Sequence, residues 1–196
     1  MGFASTDRIA ARIGLSPQSV EEQLLDAEAG GWITHSSFAA NEGGISGWSL
    51  TERGREEDTK RLTEELHHAG ARAVVEQGHQ KFERLNGLLV RACTDWQLRP
   101  IGNDRLAVND HNDPDWDTRV LDELTVLVGG LTQLIDVLSG ALARFRNYDR
   151  RFSAALARAR AGDSDWVAGI GIGSCHAVWM ELHEDLLSTL GIARDA

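Results

Sequence analysis

Residues 5–33 read STDRIAARIGLSPQSVEEQLLDAEAGGWI, and local chemistry alone places two helices on them. Ile9, Ala10, Ile13 and Leu15 make a short apolar stripe at helical spacing. Ser5 or Thr6 suits its start as a cap, and Gly14 suits the left-handed residue that closes it. Ser16 then caps a second helix with Pro17 at its first position, where a missing N–H costs nothing. Along it Val20, Leu24 and Ala27 point inward until Gly30-Gly31 stops the run, and Glu21 and Glu22 near its start favour the helix dipole. The segment is therefore a helix, a tight turn and a second helix.

Trp32-Ile33 follow, then a polar stretch with Asn41-Glu42-Gly43-Gly44, then Ile45-Ser46-Gly47-Trp48-Ser49-Leu50, which alternates like a strand. Two short strands joined by a glycine-containing tip fit this pattern, and the whole order describes a winged helix-turn-helix with a small β-hairpin wing. Beyond Thr51 the period is helical. Residues 52–98 form one long helix or two, because Gly70, Gly78 and Gly87 each weaken the run. Arg99-Pro100 and the polar stretch to Asp113 read as a loop. Asp113-Pro114 then opens a helix whose Val120, Leu121, Leu124, Leu127, Val128, Leu131, Leu134, Ile135, Leu138, Leu142 and Phe145 cover the broad face of a buried bundle member. Further helices are expected at 149–161 and 173–190. The chain is thus expected to be mainly α: a winged domain over 1–61 and an all-α helical bundle over 62–196.

Here a resemblance can be stated. The quoted segment is similar to the helix-turn-helix of bacterial winged-helix regulators, with Gly14 at the turn, Val20 and Leu24 in the core and Gly31 before the first wing strand. Residues 49–57, SLTERGREE, resemble the Leu-Thr-x-x-Gly-Arg ending of the wing in MarR-like regulators. The likeness covers about sixty residues and implies a transcriptional regulator that binds double-stranded DNA as a homodimer and responds to a small-molecule effector. Carried over by position, it implies that Ser16, Gln18, Ser19, Glu22 and Gln23 face the groove, with Arg53 and Arg55 beside the wing. Two departures stand out. Such regulators carry a helix ahead of this motif, for which only residues 1–4 are available here. The second helix of the motif also bears acids and no Lys or Arg, so its residues can specify bases but cannot anchor to phosphate.

Anchoring is expected to come from Arg8, Arg12, Arg53, Arg55, Lys60 and Arg61, which are outnumbered by acids within residues 1–61. A net charge of −10 over the chain's 196 residues argues against a strong sequence-independent grip on nucleic acid, so any DNA binding is expected to be local. A winged helix that binds protein partners instead of DNA is the alternative. One segment runs against the acidic average: Arg144, Arg146, Arg150, Arg151, Arg158 and Arg160 face only Asp149 in that stretch. This basic run suits phosphate, an anionic ligand or an acidic partner, and equally a solvated face.

For an effector, Cys93, Asp95, Trp96, Cys175, His176, Trp179 and His183 combine aromatic walls with a few polar groups, as ligand pockets between bundle helices do. Ordinary core and cap roles are the competing reading. His176 and His183 lie about 10 Å apart along one helix, so they do not hold one metal ion without ligands from elsewhere. No metal site and no cofactor is expected. GIGIGSCH, over 169–176, lacks the Lys-Ser/Thr of a nucleotide loop and reads as a connector. The acids around 110–117 lack the glycine and terminal Glu of a calcium loop, and a cap by Asp113 explains them. No nucleophile–base pair is legible, so an enzyme is not expected. Cys93 and Cys175, far apart in a chain with no early apolar run, are expected as reduced thiols. No stretch comes near the roughly 20 apolar residues that span a bilayer, and the chain is expected to be cytoplasmic.

Overall fold

In a computed structural model, residues 2–38 and 45–192 are described. The expected wing tip at 41–44 lies outside them. Helix α1 (Thr6–Ile13) begins at Ser5, whose hydroxyl accepts from the Arg8 N–H, and ends at Gly14 in the left-handed conformation. Helix α2 (Pro17–Ala29) begins at Ser16, which accepts from the Ser19 N–H. Strands β1 (Ile33–Phe38) and β2 (Ile45–Leu50) pair antiparallel with Ile33 opposite Leu50 and His35 opposite Trp48. The order is the one the capping chemistry predicts, because each boundary is set by residues within four positions of it.

Phe3 and Ala4 make two contacts with the wing. Ala4 pairs with Trp48 as an extra edge residue on the wing, N–H to carbonyl in both directions at 2.8 and 3.0 Å. Phe3 packs edge-on against Phe38. The approach is so close that a Cβ on Gly47 would stand 2.7 Å from the Ala4 carbonyl oxygen.

Residues 52–98 form two helices, α3 (Glu52–His68) and α4 (Arg72–Gln97). Of the three candidate glycines only Gly70, with φ of 58°, breaks the run. The expected boundary at 61 falls inside α3, so a continuous helix joins the winged lobe to the bundle. Helix α5 (Pro114–Ala141) stops short of Leu142 and Phe145, which were expected on its face and are buried instead from the extended Leu142 and a 3-10 turn at Ala143–Phe145; α6 (Tyr148–Arg160), the short α7 (Asp165–Ala168) and α8 (Cys175–Leu190) follow. The fold is mainly α with two small antiparallel hairpins. The second hairpin is a correction to the expected loop after Arg99: β3 (Leu98–Ile101) pairs with β4 (Asp104–Val108) around Gly102-Asn103. Pro100 and the polar composition hid it, since proline inside a run speaks against a strand; the register shifts between Arg99 and Ile101.

The principal core lies in the bundle, where Phe82, Leu89, Leu124, Leu138, Phe152 and Trp179 are fully enclosed. The winged lobe buries far less: Ala4, Ala10, Val20 and Trp48. Among the described helices α5 alone is long and apolar enough to cross a membrane by length and composition, with a mean hydropathy of 1.5 over its most apolar window. That corrects the expectation that no stretch comes near this length. Its Val120, Leu124, Leu127, Leu131, Leu134 and Leu138 form one buried stripe packed on α4 and α6, which is also the signature of a central bundle helix.

Candidate nucleic-acid interface and interlobe cleft

The Leu-Thr-x-x-Gly-Arg segment has a mechanical role. The Thr51 hydroxyl caps α3 by accepting from the Gly54 N–H at 3.0 Å, while donating toward the carbonyl of Gly31 at 2.7 Å and lying 3.1 Å from that of Trp32. Gly54 lies directly against the same turn: a Cβ there would stand 1.8 Å from the Trp32 carbonyl oxygen. The end of α2, the start of the wing and the first turn of α3 are thus fixed to one another. Glu28 adds a further tie by accepting from the His35 N–H at 2.8 Å.

This frame presents α2 outward. Ser16, Gln18, Ser19, Glu22 and Gln23 are all exposed, as are Arg53 and Arg55. The Ser16 and Ser19 hydroxyls are 2.9 Å apart. The expected phosphate anchors divide. Arg8 donates from Nε and Nη2 to Glu181 Oε1 at 3.1 and 2.9 Å, Arg12 pairs with Asp185 at 3.0 Å, and Arg61 pairs with Glu57 at 2.7 Å while stacking on the Trp32 ring. Among the described residues Arg53, Arg55 and Lys60 make no ion pair. Half of the expected anchoring charge is therefore engaged internally, a correction to the expectation that all six face a phosphate backbone.

The basic run on and before α6 is corrected in the same way. Arg144 donates to Asp185, Arg151 to Glu181 and Arg160 to Asp122, each at 2.5 or 2.6 Å, and Arg158 pairs with Asp163 over the Trp166 ring. Arg146 and Arg150 remain exposed. The sequence showed an excess of arginine; it did not show that the matching acids lie on other elements.

Those pairings build a charged seam between the lobes. Glu181 on α8, whose side chain is only 4% exposed, holds Arg8 of α1 and Arg151 of α6 on its two oxygens. One turn later, Asp185 takes Arg12, Arg144 and the Tyr148 hydroxyl, the last at 2.8 Å. Arg144 Nε also lies 2.8 Å from Glu65 Oε2 of α3. Burial opposes the charge on Arg12, yet Tyr148, Asp185 and Glu181 outweigh it and raise its pKa. Burial likewise pushes the Tyr148 phenol up.

Beside this seam runs a cleft of about 790 Å³ between the underside of the winged lobe and the bundle. Ile9, Leu24, Ile33 and Leu50 form one apolar wall; Arg12, Arg144, Arg146, Asn147, Asp58 and Asp185 give it a charged edge. Asp58 lies at the cleft mouth, where desolvation raises its carboxyl pKa, Arg144 lowers it and Asp185 raises it, with a net upward shift.

The residues expected to line a pocket inside the bundle are dispersed instead. Cys93, Cys175 and Trp179 are buried core, Trp179 stacking on Phe82 at 4.8 Å and donating to Asn86 Oδ1 at 3.0 Å. Burial pushes both thiols up to about 12. Asp95 pairs with Arg119, Trp96 packs against His111 on a small groove of about 280 Å³, and His176 is exposed. Convergence, which the sequence left open, is confined to the core, where the Cys93 and Cys175 thiols are near enough to interact, while Asp95, Trp96 and His176 take the cap and surface positions just given. His183 instead meets Glu83 and His79 of α4, with Nε2–Oε1 distances of 3.3 and 3.6 Å for His183 and His79 respectively. The i,i+4 pair His79 and Glu83 was visible in the sequence, but its partner a hundred residues away was not. As expected, Asp113 caps α5, and Arg99 bridges Asp110 and Asp113.

Comparison with protein-family models, with curated proteins and with solved structures gives no significant match.

Proposed function

We propose that this chain is a DNA-binding transcriptional regulator of MarR-like type, cytoplasmic and dimeric, whose DNA affinity is set by a small-molecule effector. The observation that carries the reading is the exposed row Gln18, Ser19, Glu22 and Gln23 on a helix whose position Thr51 and Gly54 fix beside a β-hairpin wing. Such a row can read base edges, Gln taking adenine and Glu taking cytosine, while Arg53, Arg55 and Lys60 meet phosphate. The chain is read as non-enzymatic. Two copies spaced for half-sites about 34 Å apart would add their modest contacts.

The cleft is the effector site in this reading. Its apolar wall belongs to the winged lobe, and its charged edge draws Arg12 and Asp58 from that lobe and Arg144, Arg146 and Asp185 from the bundle, so an amphipathic ligand with a charged head would bind differently as the lobes shift. That differential affinity is what couples an effector to DNA.

The test is fluorescence anisotropy with promoter duplexes over a salt series. Binding that weakens with salt is expected, and Glu22→Arg strengthens non-specific binding severalfold. No binding at low salt, or no response to Glu22→Arg, overturns the reading. A protein-interaction module is the second reading, favoured by one observation: Arg8, Arg12 and Arg61 are engaged internally while Glu21, Glu22 and Asp26 are exposed on α2.

A further inference from the structure

The seam between α4 and α8 carries a group that the regulator reading does not use. His79 and Glu83 lie one turn apart on α4, and His183 reaches them from α8, with one ligand atom from each within 4.8 Å of the others. His79 Nε2 is buried and, among the described residues, has no hydrogen-bond partner; Glu83 Oε1 is its recorded contact, at 3.6 Å. The same carboxylate oxygen lies 3.3 Å from His183 Nε2. The histidine rings lie nearly parallel, at 19°, with Phe82 stacked on His183 at 5.0 Å, so packing restricts how the second imidazole can turn.

We propose that His79, Glu83 and His183 form a binding site for a first-row divalent metal ion of the zinc class. Three ligands at bonds of about 2.0–2.1 Å in tetrahedral array stand about 3.3 Å from one another. The two contacts to Glu83 are close to that spacing and the imidazole ligand atoms lie within 4.8 Å of each other, so closing on an ion requires the two histidines to approach by up to about 1.5 Å. Two imidazoles and a carboxylate are donors for zinc, cobalt, nickel or ferrous iron, and a poor set for calcium or magnesium, which take oxygen. Glu83 is half exposed while the histidines are mostly covered, which leaves a fourth position open toward solvent for water or a further donor. Bound metal would add a tie between two helices that already meet through packing, the His183–Glu83 contact and the Trp179–Asn86 hydrogen bond.

The ion would also act from a particular side of α8. Residues two positions apart on a helix are about 200° apart around its axis, so His183 faces away from Glu181 and Asp185, which hold α1. An effect on DNA rests on the proposed function; metal binding itself does not, and is measured without DNA.

The experiment is a titration of chelator-stripped protein with cobalt(II), read by its visible ligand-field absorption and then by displacement with zinc. One equivalent should bind. Glu83→Gln and His183→Ala should each weaken binding at least tenfold, while His176→Ala, an exposed histidine on the same helix, should not. Glu83→Gln alters one exposed side chain, and its circular dichroism shows whether the fold is kept. Zinc should raise the thermal midpoint of the native chain and leave that of the Glu83→Gln protein unchanged. Absence of a cobalt band overturns the proposal, and so does a band insensitive to Glu83→Gln and His183→Ala.

Discussion

Replacing Glu181 by Gln tests what holds the winged lobe to the bundle. The change keeps the shape of the side chain and removes its charge, so it opens no cavity. In the native chain one carboxylate accepts two hydrogen bonds from Arg8 and one from Arg151, and its side chain is 4% exposed. Breaking a buried pair costs about 3–5 kcal/mol, because the remaining charge stays desolvated. The two arginines are 26% and 16% exposed and keep part of their hydration, which places the expected loss at the lower end, about 3 kcal/mol. The amide also turns an N–H toward one guanidinium, leaving two donors facing each other. Arg8→Ala, by contrast, leaves Glu181 paired with Arg151 and should cost only about 1–1.5 kcal/mol. Urea unfolding followed by circular dichroism gives both numbers. Amide exchange should show α1 and α2 losing protection before α5. A loss below about 0.5 kcal/mol for Glu181→Gln would refute the argument, and so would a larger cost for Arg8→Ala than for Glu181→Gln.

Two other perturbations have equally definite outcomes. Gly54→Ala places a methyl 1.8 Å from the Trp32 carbonyl oxygen that also accepts from Thr51, so the winged lobe should lose about 3 kcal/mol or more and any DNA binding with it; a thermal midpoint unchanged from wild type counts against the close contact of α3 with the turn at Trp32. Cys93 and Cys175 are buried, with thiols pushed up to about 12 from an ordinary 9.0, so a thiol reagent at pH 8 should react slowly with native protein and quickly with urea-unfolded protein. The sign of the pH dependence follows: the folded state keeps both protons after the unfolded chain has lost them, so the thiols' contribution to stability falls as pH rises above 9. Rapid titration of both thiols in native buffer contradicts that burial.

What was legible in the sequence was whatever neighbouring residues decide. Ser5, Ser16 and Asp113 cap helices within three positions of themselves, and Pro17 and Gly14 act in place. The stripe from Val120 to Leu138 announced a central helix through its period alone. The second hairpin was not legible, because Pro100 argued against a strand and the tight Gly102-Asn103 turn lay inside a polar stretch. Nor could composition choose among Gly70, Gly78 and Gly87. The difference is tertiary: Gly78 sits where a Cβ would meet Leu138 at 2.6 Å, a close helix crossing, whereas only Gly70 adopts a left-handed turn. The candidate site was legible in its exposed half and illegible in its charged half. Arg8 and Glu181 are separated by 173 positions, and no local pattern distinguishes an arginine that will meet a phosphate from one that will meet a buried glutamate.

That engagement of charge bears on how a regulator of this kind would work. Each arginine turned inward is lost to the phosphate backbone, so the six expected anchors cannot supply the affinity their number suggests. The same contacts set the angle between α2 and the bundle through α8, which meets α1 with Glu181 and Asp185, lines the cleft with Asp185 and faces α4 with His183. A ligand in the cleft would compete for Arg12 and Arg144 and so weaken the hold of α8 on α1. Binding energy is then drawn from ion pairs that already exist, and the lobes shift only by the difference in affinity between their two arrangements. An acidic chain with an acidic second motif helix is suited to that mode. In the proposed regulator a coupling of about 1–3 kcal/mol would change DNA affinity by roughly 5- to 150-fold.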